Sequence, residues 1–277
     1  TLRAFAADDA AGQGISVATS FQDFKPEEAG RTAGRIAKMA ENPEQGLPGK
    51  YNVVFGPSIF ANLLNRVGDS ASAYSVDQGL SFFQDMLKKK VASDILTLHD
   101  NSRLSKGPGS TSIDDEGYPT QETPLIVDGI LQTYLHTSYT AAEHKASLTG
   151  SAAFAAETGM YPTPRNIILR GGESSLEDLF DKAQEGLYIT NNWYTRFQNY
   201  QTGDFSTICR DGVFQIKSGR LAKPVKGLRL SDNMIRILQS TVALSKERHW
   251  IRWWEVDVPT LTPYVLAEGV GITTSNK

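Results

Sequence analysis

An Asp-Gly pair at Asp128-Gly129, set between alternating apolar residues, constrains the fold of this 277-residue chain more than any other short stretch. A two-residue type I′ turn needs positive φ at both central positions, and Asp-Gly meets that need, so two strands joined there are predicted. The wider stretch Val91–Leu135 reads as an apolar strand, a Gly/Pro/Ser loop, an acidic turn at Asp114-Asp115-Glu116-Gly117, and then the hairpin. Carboxylates at the end of a rigid sheet are placed where binding or catalytic groups often sit. Turn formation by Asx side chains accounts for the same residues at least as well.

Around that stretch the chain alternates irregularly between helical and strand patterns. Gly14–Phe21 reads as a strand, and Pro26–Glu41 as a helix with Ala29, Ala33, Ile36, Ala37 and Ala40 at helical spacing. Asn42–Lys50, with two prolines and two glycines, is the linker candidate. Tyr51–Phe55 is predicted as a strand, followed by a helix from Pro57 to Gly68 and a second helix over Val76–Lys89, with Asp69–Ser75 as loop. Tyr139–Ala146 is expected to be helical, Ser147–Thr163 is a small-residue region of little periodicity, and Asn166–Leu169 is a strand before a helix at Leu176–Gln184. Leu187–Phe197, Phe205–Cys209, Val213–Lys217 and Leu221–Val225 are predicted strands. A helix over Asp232–Leu244 follows, and Trp250–Val256 and Tyr264–Ile272 close the chain as strands. Many hairpins with interspersed helices favour an α+β fold of mostly antiparallel or mixed sheets over a doubly wound sheet.

Charge and cysteine content narrow the function. A net charge of −3 argues against a nucleic-acid binder, which carries a basic patch. The run Lys88-Lys89-Lys90 fits a helix end. One cysteine, Cys209, excludes an intrachain disulfide, and no apolar run approaches a membrane span. The opening TLRAFAADDAAGQG has no basic region followed by an apolar one, so a cytoplasmic location is expected, and its start in mid-strand suggests that an N-terminal portion is missing.

No catalytic centre stands out. The histidines, His99, His136, His144 and His249, form no HExxH pair and read as packed or surface residues. There is no Gly-x-Ser-x-Gly elbow, and Gly107-Pro108-Gly109-Ser110 lacks the ending of a phosphate loop. Asp114, Asp115 and Glu116 remain candidates for acid catalysis, metal binding or capture of a peptide amine. The aromatic group Trp193, Tyr194, Phe197 and Tyr200 suits a peptide groove or a packed sheet face, and Trp250, Trp253 and Trp254 suit a core or a subunit interface.

The segments KVASDILTLHD and GSTSIDDEGYPTQETPLIVDGILQTYL resemble the TldD/PmbA family, known as modulators of DNA gyrase. YNVVFGPSIFANLL, LTGSA, SLEDLFDKAQEGLYIT, TGDFS and KSGRLAKPVKGLRLSDNMIRIL extend the likeness in the same order, from Tyr51 to Leu244. The resemblance implies a C-terminal domain over 51–277, with residues 1–45 as the end or remnant of an N-terminal domain. In the catalytic TldD subunit, the helix after the strand matching Tyr51–Phe55 carries an HExxxH zinc motif. Here that motif falls on Asn65-Arg66-Val67-Gly68-Asp69-Ser70. Asn65 and Ser70 stand in for the histidines, and Arg66, which cannot act as a base near neutral pH, for the glutamate. The family's third ligand, a late cysteine, has no counterpart, because Cys209 lies elsewhere in the pattern.

The resemblance therefore implies a TldE/PmbA-like subunit with no catalytic residue, metal ligand or cofactor of its own. Zinc is expected in a TldD-like partner, with which the chain would form a dimer that cleaves unfolded or leader-type peptides. Its own part would be to complete the interface and the peptide channel. Asp114, Asp115, Glu116, Trp193 and Tyr194 are the candidate peptide contacts. Two other expectations stay open: a self-associating peptide-binding module without a peptidase partner, and a scaffold reused for non-zinc chemistry.

Overall fold

The computed structural model describes residues 1–274, so the last three residues of the domain expected over 51–277 lie outside the described residues. The chain begins with a hairpin, β1 (Leu2–Ala7) and β2 (Ala10–Gly14), lying on helix α1 (Pro26–Met39). Side chains at Gly12 and Gly14 would collide with the carbonyl oxygens of Ala33 and Ala29, so glycine sets the close approach of hairpin and helix. That contact ends at Gly14. The strand expected over Gly14–Phe21 is therefore not formed, and loop takes its place.

The remaining elements are β3 (Glu44–Gln45), β4 (Gly49–Phe55), α2 (Pro57–Ser70), α3 (Ala73–Asp77), β5 (Leu98–Asn101), β6 (Glu122–Val127), β7 (Ile130–Leu131), α4 (Ser138–His144), β8 (Ala152–Ala155), β9 (Gly159–Pro162) and β10 (Ile167–Leu169). They are followed by α5 (Leu176–Ala183), β11 (Gly186–Asn199), β12 (Asp204–Lys217), β13 (Arg220–Lys226), β14 (Leu228–Asn233), α6 (Met234–Gln239), β15 (Thr241–Trp253) and β16 (Val256–Thr274). One twelve-stranded sheet runs β3-β13-β12-β11-β4-β16-β10-β5-β6-β7, with β14 against β12 and β16, and β15 against β16. Parallel pairs β4–β11, β10–β16 and β3–β13 sit among antiparallel ones, which makes this the mixed α+β arrangement expected.

β4 is central, and Val53, Val54 and Phe55 are wholly buried, as a strand covered on both faces requires. Gly56 then packs against the Thr190 backbone, and Pro57 starts α2 with its φ pre-set. α2 buries Ile59, Phe60, Leu63, Leu64 and Val67 in the main core, together with the polar Asn62 and Asn65. At the predicted hairpin, Asp128 (φ 46°) and Gly129 (φ 78°) both take the left-handed conformation between β6 and β7.

Three expectations are corrected by tertiary hydrogen bonding. Helix Val76–Lys89 is replaced by the short α3 and a run of turns, in which Gly79, Asp85 and Lys88 have φ of 66°, 58° and 62°. The Ser81 hydroxyl donates to the Ser70 carbonyl and accepts from Phe83 N–H, which buries Phe82 and Phe83 and leaves Leu80 and Leu87 exposed. Lys88–Lys90 accordingly belong to no helix end. The helix expected over Asp232–Leu244 is only Met234–Gln239, capped by Asn233, because Ala243 and Leu244 pair with β16 instead. The linker candidate Asn42–Lys50 contains β3 and the start of β4, so it is stitched into the sheet rather than free of it.

Candidate functional site

The inner face of α2 carries two buried amides that tie three elements together. Asn65 Nδ2 donates to the Ala61 carbonyl (3.1 Å), the Val258 carbonyl (3.2 Å) and Thr260 Oγ1 (2.8 Å), and its Oδ1 accepts from Val258 N–H (3.0 Å). One turn earlier, Asn62 Nδ2 donates to the Glu255 carbonyl (2.6 Å) and Glu255 Oε2 (3.2 Å). Asn62 Oδ1 accepts from Asn192 Nδ2 (3.0 Å) and Thr195 Oγ1 (2.6 Å). The buried Glu255 carboxyl also accepts from the N–H groups of Tyr194 (3.0 Å) and Thr195 (3.5 Å), so main-chain and amide donors surround it. Of the other two motif positions, Arg66 forms an ion pair with Asp69 at 2.9 Å beside solvent, and Ser70 is buried with its carbonyl held by Ser81.

This network lies beneath an aromatic group. Trp193 is within 6.5 Å of Tyr194, Trp253 and Trp254 by ring centroid, and Tyr194 and Trp254 are 5.6 Å apart. Register slips between Trp193 and Arg196 on β11, and Tyr194 sits there at φ 62°, an uncommon conformation for a bulky residue. Tyr194 and Trp254 are 42% and 54% exposed, while Trp253 is buried. The Arg3 and Arg210 guanidiniums lie 4.5 and 5.3 Å from the Trp193 ring centre, and that of Arg196 is 5.9 Å from Tyr194. The structure thus brings together the motif position Asn65 with Trp193 and Tyr194, through Asn62, Glu255 and β16. Asn62, Asn192, Trp254 and Glu255 went unnamed as site residues. Asn62 and Asn65, amides three apart on an otherwise apolar helix stripe, were the available signal.

The acidic turn is elsewhere, and its carboxylates are engaged within the fold. Asp114 Oδ1 accepts from the N–H groups of Glu116 and Tyr118, and its Oδ2 from that of Ala152. Asp115 accepts from Phe154 N–H and pairs with Arg165. Glu116 takes both the N–H and the hydroxyl of Ser138, the first residue of α4.

His136 and His144 come together with ring centres 5.2 Å apart, and Asp77 is 2.7 Å from His144 Nε2. Burial, and then the neighbouring His144, hold His136 down to about 4. Burial pushes the Cys209 thiol up to about 12, which leaves it without thiolate character near neutral pH. Among the described residues no group of three or more His, Cys, Asp or Glu side chains is arranged to hold a metal ion. The donor set at the motif positions, an amide, a guanidinium and a hydroxyl, does not fit zinc. A cleft of about 1400 Å³ opens between α1, the start of α2, α5 and β15, with Gln13, Asn191, His249 and Tyr264 in its lining. Burial lowers His249 and raises Tyr264 relative to their ordinary values.

The model of the PmbA/TldA metallopeptidase C-terminal domain matches residues 48–274. This chain belongs to that family. A metalloprotease of Methanocaldococcus jannaschii is 31% identical over 227 residues, covering 79% of this chain and 48% of its own length. A TldD homologue of Buchnera aphidicola, also described as a metalloprotease, is 28% identical over 79% of this chain and 46% of its own. The chain thus spans about half the length of the curated relatives it matches. Among solved structures, a Thermotoga maritima protein described as a candidate modulator of a DNA gyrase superposes with a TM-score of 0.85 at 27% identity, covering 96% of this chain and 60% of that one. TldE of Thermococcus kodakarensis superposes at 0.81 with 21% identity, covering 91% and 56%, and shares the fold. No helix among the described residues is long and apolar enough to cross a membrane.

Proposed function

We propose that this member of the PmbA/TldD family is a non-catalytic, TldE-like subunit of a cytoplasmic zinc peptidase complex. Its partner, a TldD-like chain with an HExxxH helix, supplies the zinc and the general base. This chain contributes interface and part of the path taken by an unfolded or leader-type peptide. The observation that carries the reading is Asn65. In place of a ligand free to meet a metal, α2 presents an amide committed to β16 through Val258 and Thr260. Arg66 is paired with Asp69, Ser70 is buried with its main-chain carbonyl held by Ser81, and neither a guanidinium nor a neutral hydroxyl supplies the base or the ligand that zinc chemistry needs. The engagement of Asp114, Asp115 and Glu116 by main-chain donors and Arg165 weighs against chemistry at the acidic turn.

The test is affinity purification from the source cell, with zinc measured in the purified chain and in anything it brings down. A co-purifying HExxxH protein, with zinc and peptidase activity in the pair and neither in this chain alone, is the expected result. Stoichiometric zinc and robust proteolysis by this chain alone would remove the proposal. Purification as a homodimer with no such partner would favour the self-associating module instead.

A further inference from the structure

Tyr194 raises a question that the subunit reading leaves open. A tyrosine at φ 62° is strained, and such strain persists only where the surroundings enforce it, most often at sites that use the displaced side chain. Here the enforcing contact is the bond from Tyr194 N–H to Glu255 Oε1, which belongs to the network built on Asn62. Its result is a ring pushed out beside Trp254, with both residues exposed in a shelf over the buried Trp253 and the half-buried Trp193. Core packing does not account for two large rings held at the surface in this way.

The surroundings state what the shelf would hold. Arg3 is paired with Asp211, but Arg196 and Arg210 have no carboxylate within ion-pair distance among the described residues. Their guanidiniums lie against the rings of Tyr194 and Trp193. The indole N–H groups of Trp193 and Trp253 also have no acceptor. Arg196 also donates to the Thr195 carbonyl at 2.8 Å, and aromatic faces beside guanidiniums without a carboxylate partner match an apolar or aromatic group that carries a carboxylate next to it. Single-stranded nucleic acid uses similar rings, but along a continuous positive groove. In this protein the adjoining cavity mixes Arg3 and Arg210 with Asp8, Asp9 and Asp211, and the chain is net acidic.

We propose that Tyr194, Trp254, Arg196 and Arg210 form a subsite for an acidic–aromatic segment of a peptide, in which a large aromatic side chain is flanked by glutamate or aspartate. The rings lie on an open shelf, which suits a chain passing across it. The proposal deepens the peptide-path reading above and rests on it only for the presence of a peptide.

The probe is acetyl-Gly-Glu-Phe-Glu-Gly-amide, titrated into the purified full chain at low salt by calorimetry and tryptophan fluorescence. Comparators replace both glutamates by glutamine, both by lysine, or the phenylalanine by glycine, and a short oligothymidylate is the nucleic-acid arm. The acidic aromatic peptide is expected to bind at least tenfold tighter than every comparator. Trp254→Ala and Arg210→Gln should each weaken it tenfold or more with unchanged circular dichroism. Tyr194→Gly should weaken it as much without lowering the melting temperature, because glycine takes positive φ freely. Absence of binding, equal binding of the glutamine or lysine peptide, insensitivity to Trp254→Ala, or preference for the oligothymidylate would each overturn the proposal. No partner or zinc enters this measurement, so its failure leaves the co-purification outcome intact, and the converse also holds.

Discussion

Replacing Asn65 by alanine tests whether α2 is held to β16 by this one amide. The substitution removes the donors to Val258 O and Thr260 Oγ1 and the acceptor for Val258 N–H. Two of the partners keep an alternative, because Thr260 Oγ1 itself donates to the Val258 carbonyl at 3.0 Å. Val258 N–H loses its bond to Asn65 Oδ1 at a part-buried position, which costs about 1–3 kcal/mol. The other lost bonds add about 1–2 kcal/mol net, and the better helix propensity of alanine returns about 0.5 kcal/mol. The expected loss is about 2–4 kcal/mol, read as a lower denaturant midpoint at unchanged slope. The internal comparison is Arg66→Ala, which breaks an ion pair beside solvent with Asp69 and should cost no more than about 1 kcal/mol. If Asn65→Ala costs less than about 1 kcal/mol, or no more than Arg66→Ala, the amide is not the tie described and the argument from its commitment fails.

Three further measurements follow from the geometry. Burial raises Asp100 to about 6 despite N–H donation from Arg165 and Asn166, so the fold is destabilised as pH rises from about 4 through about 6. Asp100→Asn should abolish that slope and gain up to about 3 kcal/mol at pH 7, and a mutant no more stable at pH 7 than at pH 4 relative to the parent would refute it. His136 is held down to about 4, so stability should fall as pH drops from 6.5 toward 4, by about 3 kcal/mol; a ring-proton resonance assigned to His136, by its loss in His136→Gln, that titrates near 6.5 in the folded protein would exclude this. Gly129→Ala faces both φ 78° and a collision with the Ala92 carbonyl, so a loss of at least about 2 kcal/mol is expected in equilibrium unfolding, and a neutral outcome would contradict the turn geometry.

How much of this was legible depends on whether a residue's role was local. Asp128-Gly129 was legible because the turn's demand for two positive φ values is a property of the two residues themselves. Leu80, Phe83 and Leu87 have helical spacing, yet the Ser81 tether to the Ser70 carbonyl, a tertiary contact, turned that segment into successive left-handed bends. Likewise Ala243 and Leu244 extend a helical pattern but find a sheet partner in β16, and pairing won over propensity. The candidate site divides along the same line. Asn65 could be reached through its place in a helix motif, and Tyr194 through its neighbours in an aromatic run. Glu255 could not, since its meaning comes from Asn62 and Tyr194, which lie 193 and 61 residues away in the chain. The partners of the acidic turn were hidden for the complementary reason. Asp114, Asp115 and Glu116 look available in sequence because their partners, the N–H groups of Ala152, Phe154 and Ser138, are 38, 39 and 22 residues distant. Exposed-looking carboxylates become structural acceptors when strand and helix ends arrive from elsewhere, and an apolar helix stripe becomes a polar anchor when a hairpin does.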